Sequence, residues 1–289
     1  MDEPENKIRN TFRQTCLAIA SIYTEPEVTS LVEIVFRHLL KCSRFELYQR
    51  FDTNLLISQQ LQLKEIVYEL QTHKPIQYIL GETEFYGLLF KVGPGILIPR
   101  QETEELIEWI LAENKGVSSV KVLDIGTGSG CIAISLAKNL PFSLVDAIDV
   151  SDKALSYARE NSLLNNCHIN FILDDILNSN LQSTGIYDIV VSNPPYVPES
   201  DKKNMQPNVL DYEPGLALFV PDENPLVFYG IILDFALLSG KPAGMVYFEI
   251  HEKFGEEIKQ LFSHKGFENI IIKKDIHGKD RMASGQIPF

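Results

Sequence analysis

Residues 122–137, VLDIGTGSGCIAISLA, join an apolar strand to a helix through a glycine-rich turn. The three glycines of this turn, Gly126, Gly128 and Gly130, occupy every second position. Glycine permits a tight turn, lets a ligand approach the backbone closely and leaves amide N–H groups exposed at the start of a helix. The stretch therefore predicts the first strand–turn–helix unit of a nucleoside-binding α/β domain.

Alternating strand and helix patterns continue from this unit to the C-terminus. Apolar runs such as FSLVDAIDV, residues 142–150, alternate with amphipathic runs such as SDKALSYARENSLLN, residues 151–165. This alternation predicts an α/β, Rossmann-like domain over residues 101–289, with a mainly parallel sheet and helices on both faces. The last run, RMASGQIPF at residues 281–289, is predicted to form a final edge strand.

The first part of the chain follows a different pattern. Thr24 stands three residues before Glu27, the spacing of a capping box, and apolar residues then recur at helical spacing. Residues 1–80, which contain no glycine, are therefore predicted to form a small all-helical domain. Residues 81–100 contain aromatic residues, alternation and a Gly-Pro-Gly sequence, which predict a β-hairpin connector.

The composition argues against several classes of protein. The net charge is −13, whereas binders of DNA or RNA present a basic face to the phosphates, so no direct specific nucleic-acid binding is expected. The four cysteines form no C-x-x-C pair, so neither a metal site nor a disulfide framework is expected. The polar, acidic start and the lack of any apolar stretch near ~18 residues predict a cytoplasmic protein without a membrane span.

The acidic residues around the glycine turn favour S-adenosylmethionine over a dinucleotide as the cofactor. Asp149, at the end of the next strand, can accept hydrogen bonds from both ribose hydroxyls. The spacing G-x-G-x-G differs from the G-x-G-x-x-G of dinucleotide sites. Asp124, just before the turn, would oppose a pyrophosphate but suit a cationic ligand. Asp174 and Asp175 end the third strand, where they could meet the adenine edge or cap a following helix.

A rigid loop, Asn-Pro-Pro-Tyr at residues 193–196, follows the fourth strand of the domain. Ligands of open α/β sheets bind at the carboxyl ends of the strands, so this loop is expected beside the glycine turn. The Asn193 side-chain oxygen and the Pro194 carbonyl could accept both hydrogens of a planar NH₂ group. The prolines stiffen the loop, and the Tyr196 ring could pack on the substrate plane. The loop therefore predicts a clamp for an NH₂ group that becomes methylated.

The clamp alone leaves the substrate open, because adenine and the glutamine side chain both carry such a group. The acidic charge and the absence of basic runs oppose adenine in DNA or RNA. A non-catalytic scaffold would tolerate loss of the clamp, yet residues 193–196 are intact. An NAD oxidoreductase is opposed by Asp124 and by the glycine spacing.

Several segments outside the clamp resemble the release-factor glutamine methyltransferases of the HemK type. Residues 74–106 resemble that family's interdomain hairpin and its IPR-x-ETE signature, here at residues 98–104. DYEPGLALF, residues 211–219, is similar to its EP-x-x-AL segment, and KDIHGKDRM, residues 274–282, to its closing hairpin. The resemblance spans nearly the whole chain, and adenine DNA methyltransferases share the clamp but not this set. It implies methyl transfer from S-adenosylmethionine to the glutamine of the Gly-Gly-Gln motif in peptide chain release factors.

The resemblance also implies roles for particular parts of the chain. Residues 1–80 are implied to recognise the release factor, and Asn193 to contact both cofactor and substrate. Some members have an aromatic residue where this chain has Ile176, so an aliphatic contact to the adenine is expected here. Arg100 is a candidate substrate contact, or else it forms an ion pair with a nearby glutamate: Glu102, Glu104 or Glu105.

The candidate site residues fall into three overlapping groups. The predicted catalytic residues are Asn193, Pro194 and Tyr196. The predicted substrate contacts are Asn193, Pro194, Pro195, Tyr196 and Arg100. The predicted cofactor contacts are Gly126, Thr127, Gly128, Ser129, Gly130, Asp149, Asp175, Ile176 and Asn193.

Overall fold

A computed structural model describes residues 7–117, 119–178 and 186–289 of the chain. Residues 1–6 of the acidic start, on which the prediction of a cytoplasmic protein partly rests, lie outside these ranges. The chain divides into two compact units. The first is Met1–Gly81 with Pro207–Tyr212, and the second is Glu82–Gln206 with Glu213–Phe289.

Helices form the first part of the chain, and mainly alternating strands and helices follow the hairpin, as the sequence pattern predicts. The α-helices are α1 (Ile8–Ile19), α2 (Glu25–Leu40), α3 (Arg44–Gln49), α4 (Ile57–Leu70), α5 (Ile76–Leu80), α6 (Gln101–Glu113), α7 (Cys131–Asn139), α8 (Asp152–Leu164), α9 (Pro207–Leu210), α10 (Val227–Ser239) and α11 (Gly255–His264). The strands are β1 (Glu82–Phe85), β2 (Leu88–Lys91), β3 (Lys121–Ile125), β4 (Leu144–Asp149), β5 (Asn170–Leu173), β6 (Tyr187–Ser192), β7 (Val197–Pro198), β8 (Phe219–Val220), β9 (Gly240–Glu249), β10 (Glu268–Lys274) and β11 (Asp280–Gln286). Among the described residues, none of the helices has the length and apolar character needed to span a bilayer.

The first unit is a helical bundle around its own apolar core. The predicted capping box begins α2, where the Thr24 N–H donates to Glu27 Oε2 at 3.0 Å. Behind this cap, the apolar stripe of α2 that includes Val32 and Phe36 is fully buried against the neighbouring helices. The segment Pro207–Tyr212 packs with this bundle, and within the unit the Tyr212 hydroxyl donates to the Thr72 carbonyl oxygen at 2.8 Å.

A β-hairpin opens the second unit, as the sequence predicts. Strands β1 and β2 pair in antiparallel register, with Phe85 opposite Leu88. The two residues between them, Tyr86 and Gly87, have φ values of 49° and 70°. Positive φ at both central residues is the geometry of the tight two-residue turn that matches the twist of a hairpin, and glycine provides it without strain.

A seven-stranded sheet in the order β10-β11-β9-β6-β3-β4-β5 forms the centre of the second unit. The five strands from β9 to β5 pair in parallel, which confirms the prediction of a mainly parallel sheet. The predicted edge position of the final strand is wrong, because β11 lies between β10 and β9. Its small and polar residues are typical of an edge, yet Ala283 and Ser284 are fully buried, and β10 takes the edge instead.

Each face of the sheet has its own apolar core. On β3, Val122 contributes to one core and Leu123 to the other, because successive side chains of a strand point to opposite faces. Helices α6 and α7 cover the first face, and α10 and α11 cover the second. Helices on both faces confirm the predicted Rossmann-like architecture.

The carboxyl ends of the parallel strands meet where the strand order reverses. From β3 the chain proceeds to β4 and β5 on one side and returns to β6 on the other side of β3. The Ser192 hydroxyl at the end of β6 donates to the Ile125 carbonyl at the end of β3, at 2.6 Å. Ligands of open α/β sheets bind at such a reversal, so this edge of the sheet is the expected ligand site.

Candidate active site

A cavity of about 380 Å³ opens at the carboxyl ends of β3, β4 and β6. This volume is within the range of small-molecule sites. Most of the predicted site residues line it: Arg100, Gly126, Thr127, Gly128, Ser129, Asp149, Asp175, Ile176, Asn193, Pro194 and Pro195. The glycine turn and the clamp loop therefore share one cavity, as predicted, although 60 or more residues separate them in the chain. Gly130 and Tyr196 lie outside this lining.

Glycine is required at the three positions of the turn for different physical reasons. All have positive φ, at 74° for Gly126, 56° for Gly128 and 82° for Gly130, a region that disfavours other residues. A Cβ built on Gly126 or Gly128 would meet no atom of the described residues within 4 Å, so these two leave open backbone beside the cavity. At Gly130 a Cβ would lie 3.2 Å from the Cβ of Ala158 on α8. The third glycine therefore allows close packing, which explains why it does not line the cavity.

Asp149 ties the glycine turn to the end of β4. Its Oδ2 accepts from the Gly128 N–H at 2.8 Å and its Oδ1 from the Ser151 N–H at 2.9 Å. Burial raises the pKa of Asp149, and these backbone hydrogen bonds oppose that rise. Each carboxylate oxygen has a second lone pair, so the side chain keeps acceptor capacity toward the cavity that it lines.

Asp124 does not line the cavity, so the sequence argument that its charge faces a cationic ligand finds no support in the structure. Its Oδ2 accepts from the Thr127 hydroxyl at 2.7 Å and from the Ala133 N–H at 3.2 Å. Its Oδ1 is buried and has no hydrogen-bond partner in the described part of the chain. The carboxyl group thus holds the inner side of the glycine turn, and burial raises its pKa to about 7.

This buried carboxyl group predicts a specific dependence of stability on pH. The pKa of Asp124 is 3.8 in its ordinary range and about 7 in the fold, so its folded form prefers the proton. Its contribution to the free energy of unfolding is fully present below pH 3.8 and is lost as the pH rises through about 7. We expect Asp124→Asn, which cannot ionise, to gain stability relative to the wild type across this window. Denaturant unfolding of both proteins over pH measures the difference, and parallel profiles would contradict the assignment.

Asp175 and Ile176 lie side by side at the end of β5 and behave differently. The Asp175 carboxylate accepts from the Leu177 N–H at 3.0 Å and from Asn178 Nδ2 at 2.8 Å, so it stabilises the turn that follows. Ile176 packs against the core of the second sheet face and lines the cavity. Asp174 also lines the cavity. From the sequence, capping of the following segment and contact with the ligand are alternative roles for this acid. In the structure Asp175 stabilises the following turn and also lines the cavity.

The clamp loop presents two free acceptors. The Asn193 side-chain nitrogen donates to Thr103 Oγ1 at 3.4 Å. Within residues 7–117, 119–178 and 186–289, neither Asn193 Oδ1 nor the Pro194 carbonyl oxygen accepts a hydrogen bond. Both residues line the large cavity. The loop therefore offers the pair of unoccupied acceptors that an NH₂ clamp needs.

Tyr196 lies beside a second, smaller cavity of about 30 Å³, which it lines with Arg100, Asn193 and Glu249. Its hydroxyl donates to Glu249 Oε1 at 2.9 Å, and its ring meets the His251 ring edge-on at 6.0 Å. Burial and the neighbouring Glu249 charge raise the pKa of Tyr196 well above its usual value, so the phenol stays neutral. The expectation that this ring stacks on the substrate plane remains a prediction.

Arg100 forms an ion pair, but with none of the three glutamates considered from the sequence. Its Nη2 contacts Glu213 Oε1, and Glu213 Oε2 accepts from the Ile98 N–H at 3.1 Å. Glu104 instead accepts from the Tyr86 N–H at 2.7 Å. The Arg100 side chain lines both cavities, so the ion pair holds it at the site.

Three residues of the site were missed by the sequence reasoning. Glu249 is almost fully buried and accepts from both Tyr196 and Thr103, the latter at 2.6 Å from its hydroxyl. Burial raises the pKa of Glu249, and its two hydroxyl donors oppose the rise. A usable signal existed for Glu249, because it is an acid at the end of a buried strand, like Asp149. Thr103 and Glu213 lie inside quoted segments, but no local pattern shows their partners.

The comparisons with known proteins agree with this geometry. The Methyltransferase small domain matches residues 102–210, and the PrmC N-terminal domain matches residues 13–81. The release factor glutamine methyltransferase of Flavobacterium psychrophilum is 49% identical, over 95% of this chain and 97% of that protein. The enzyme of the same name from Bacteroides thetaiotaomicron is 43% identical, over 96% and 98%.

Solved structures add evidence for the fold. A 16S rRNA N2 G1207 methyltransferase of T. thermophilus, in complex with AdoMet and guanosine, superimposes with a TM-score of 0.52 at 16% identity. The match covers 71% of this chain and 49% of that one and supports the methyltransferase fold alone. The sequence relatives are far more similar and align over almost their whole length. On that evidence the chain belongs to the family of release factor glutamine methyltransferases.

Proposed function

We propose that this protein transfers a methyl group from S-adenosylmethionine to the side-chain amide nitrogen, N5, of the glutamine in the Gly-Gly-Gln motif of release factors. The observation that carries the proposal is a pair of acceptors beside the glycine turn, Asn193 Oδ1 and Pro194 O, that accept no hydrogen bond from any described residue. Relatives named for this activity align over nearly the whole chain. The alternative substrate, adenine in DNA or RNA, carries the same NH₂ group, and only the acceptor that takes up the methyl group distinguishes the two.

The chemistry explains why acceptors are needed. The lone pair of an amide nitrogen is delocalised into the carbonyl group, so the nitrogen is a poor nucleophile. Two acceptors that hold both N–H hydrogens orient the nitrogen and stabilise the positive charge that develops on it. Pro194 and Pro195 restrict the loop, so both acceptors are in place before the substrate arrives. The clamp acts by position and electrostatics, with Asn193 and the Pro194 carbonyl in the proposed catalytic role.

The residues around the large cavity fit S-adenosylmethionine. Open backbone at Gly126 and Gly128 accepts a ligand at close range, and an acid stands at the end of β4 for the ribose hydroxyls. When bound, the cofactor would supply an electrophilic methyl group on a sulfonium centre and would leave as S-adenosylhomocysteine, while the methylated nitrogen would lose one of its protons. We assign its binding to Gly126, Thr127, Gly128, Ser129, Asp149, Asp175, Ile176 and Asn193, with Gly130 supporting the turn through its packing.

Tyr196 and Arg100 complete the proposed substrate site from the smaller cavity. The Tyr196 hydroxyl is engaged by Glu249, so the residue contributes its neutral ring to the wall of the site. Glu213 offsets the charge of Arg100 and leaves further guanidinium N–H groups for carbonyl oxygens of the substrate backbone. Pro195 is assigned to the substrate site from the other side, because it lines the large cavity beside Pro194.

The remaining assignments concern the whole chain. We propose that residues 1–80 recognise the release factor, that residues 81–100 act as a connector and that residues 101–289 carry out the chemistry. A protein substrate requires no basic surface, which agrees with the net charge of −13. We therefore propose action in the cytoplasm on release factors, without direct specific binding to nucleic acid.

The deciding experiment is transfer of label from S-adenosylmethionine to purified acceptors. The full chain is incubated with a release factor, with the same factor carrying alanine in place of the Gly-Gly-Gln glutamine, and with plain DNA. We expect label on the intact factor alone. Label on DNA would show that the clamp holds adenine and not glutamine. Label on the alanine factor would show that another side chain of the factor is methylated.

A further inference from the structure

We propose that Thr103 and Glu249 are positioning residues that set the orientation of the Asn193 amide, so that its oxygen faces the substrate. This inference rests on the proposed function, because it explains how the clamp presents an acceptor. It concerns side chains that do not themselves touch the substrate NH₂ group. The three residues lie on α6, at the end of β9 and just after β6, and a chain of hydrogen bonds joins them.

The chain of hydrogen bonds runs from a buried carboxylate to the clamp. The Thr103 hydroxyl donates to Glu249 Oε2 at 2.6 Å. The oxygen of that hydroxyl accepts from Asn193 Nδ2 at 3.4 Å. Thr103 is 2% exposed and Glu249 is 1% exposed, so water does not readily replace either partner.

The direction of this chain follows from the donors and acceptors available. An ionised carboxylate can only accept, so it takes the single hydrogen of the Thr103 hydroxyl. That hydroxyl then has only lone pairs left, so the amide group that faces it must be a donor. The Asn193 NH₂ group is held inward by this requirement, and Oδ1 is left for the cavity. An amide turned the other way would place its NH₂ group against the substrate NH₂ group, donor against donor.

The same carboxylate also holds the other end of the clamp. Glu249 Oε1 accepts from the Tyr196 hydroxyl at 2.9 Å, while Oε2 serves Thr103. One buried side chain therefore restrains both the first and the last residue of the Asn-Pro-Pro-Tyr loop. Burying a carboxylate costs free energy unless its oxygens are hydrogen-bonded. Here one oxygen accepts from Tyr196 of the clamp, and the other accepts from Thr103, which contacts Asn193.

Thr103→Val tests the inference, because it removes the hydroxyl and keeps the size of the side chain. We expect kcat for release-factor methylation to fall on the order of tenfold, the effect of one lost hydrogen bond. KM for the release factor and the dissociation constant for S-adenosylmethionine should change less than kcat, because most of the residues assigned to each ligand are untouched. Thr103→Ser, which restores the hydroxyl, should recover most of the lost kcat.

Glu249→Gln supplies a second, independent test. Glutamine offers one acceptor oxygen where two hydroxyls now donate, so either Thr103 or Tyr196 loses its partner, and kcat should fall again. The matched control is Glu113→Gln, at the opposite end of α6, where Glu113 accepts from the Tyr247 hydroxyl and from Trp109 Nε1. Glu249 accepts from the Tyr196 hydroxyl, and Glu113 accepts in the same way from the Tyr247 hydroxyl. The control therefore makes the same chemical change at a carboxylate away from the clamp. We expect it to leave kcat unchanged.

The outcomes separate this inference from the proposed function. If the wild type methylates the release factor while Thr103→Val and Thr103→Ser keep the same kcat, the positioning role is overturned and the function stands. If the wild type labels no glutamine at all, the proposed function fails first. Should Thr103→Val not fold, the inference is decided by Glu249→Gln against Glu113→Gln, and equal kcat values for those two would overturn it.

Discussion

Asn193→Ala lowers the rate of methyl transfer by roughly 10²-fold or more, by analogy with the loss of one oriented group from an oxyanion hole. The variant removes Oδ1, one of the two proposed acceptors, and leaves the Pro194 carbonyl alone to hold the substrate NH₂ group. A single acceptor neither fixes the plane of the amide nor stabilises the developing charge from both sides. Single-turnover labelling of a release factor measures the effect on the chemical step.

A matched control separates this effect from general damage. Asn170 lies at the start of β5, where its side-chain nitrogen donates to Asp146 Oδ1 at 3.0 Å on the exposed surface. Asn170→Ala removes an asparagine of the same domain at the opposite end of the strands and should leave the rate unchanged. Turnover by Asn193→Ala at the wild-type rate would remove the clamp from the mechanism.

Local sequence patterns predicted the elements of the site because the chemistry of each is contained in a few consecutive residues. The glycine turn needs positive φ at alternating positions, and that need is visible as Gly126, Gly128 and Gly130. The clamp is recognisable in the sequence because two consecutive prolines, Pro194 and Pro195, follow a buried strand. Parallel strands place their carboxyl ends along one edge, so the shared cavity followed from the alternation of strands and helices.

Hydrogen-bond and ion-pair partners that lie far apart in the sequence could not be predicted from local patterns. Thr103 and Glu249 are 146 residues apart, and Arg100 and Glu213 are 113 apart, so only the folded sheet brings them together. Asp124 shows the opposite difficulty, because a charged residue beside a turn suggests a ligand contact. Its side chain instead bonds Thr127 and Ala133 in the interior. The same limit applies to β11, whose place inside the sheet depends on pairing with β9.

Asp149→Ala weakens the binding of S-adenosylmethionine by about 1–3 kcal/mol, the cost of leaving polar groups without a partner. In the proposed complex the carboxylate accepts from the ribose hydroxyls, and it also holds the N–H groups of Gly128 and Ser151. Both losses act in the same direction, because a loosened glycine turn presents its backbone less well to the ligand. Titration calorimetry of the full chain with the cofactor measures the change, and unaltered affinity would place the ribose site elsewhere.

The two contributions can be separated by changing the ligand as well as the protein. S-adenosylhomocysteine and its 2′-deoxy analogue differ by one ribose hydroxyl, so the wild type should prefer the intact ribose. If Asp149 contacts that hydroxyl, Asp149→Ala loses the preference, because the variant cannot distinguish the two ligands there. If the carboxylate acts only through Gly128 and Ser151, the variant binds both ligands more weakly and by the same factor. Retention of the full preference in Asp149→Ala would therefore assign the residue to the turn and not to the ribose.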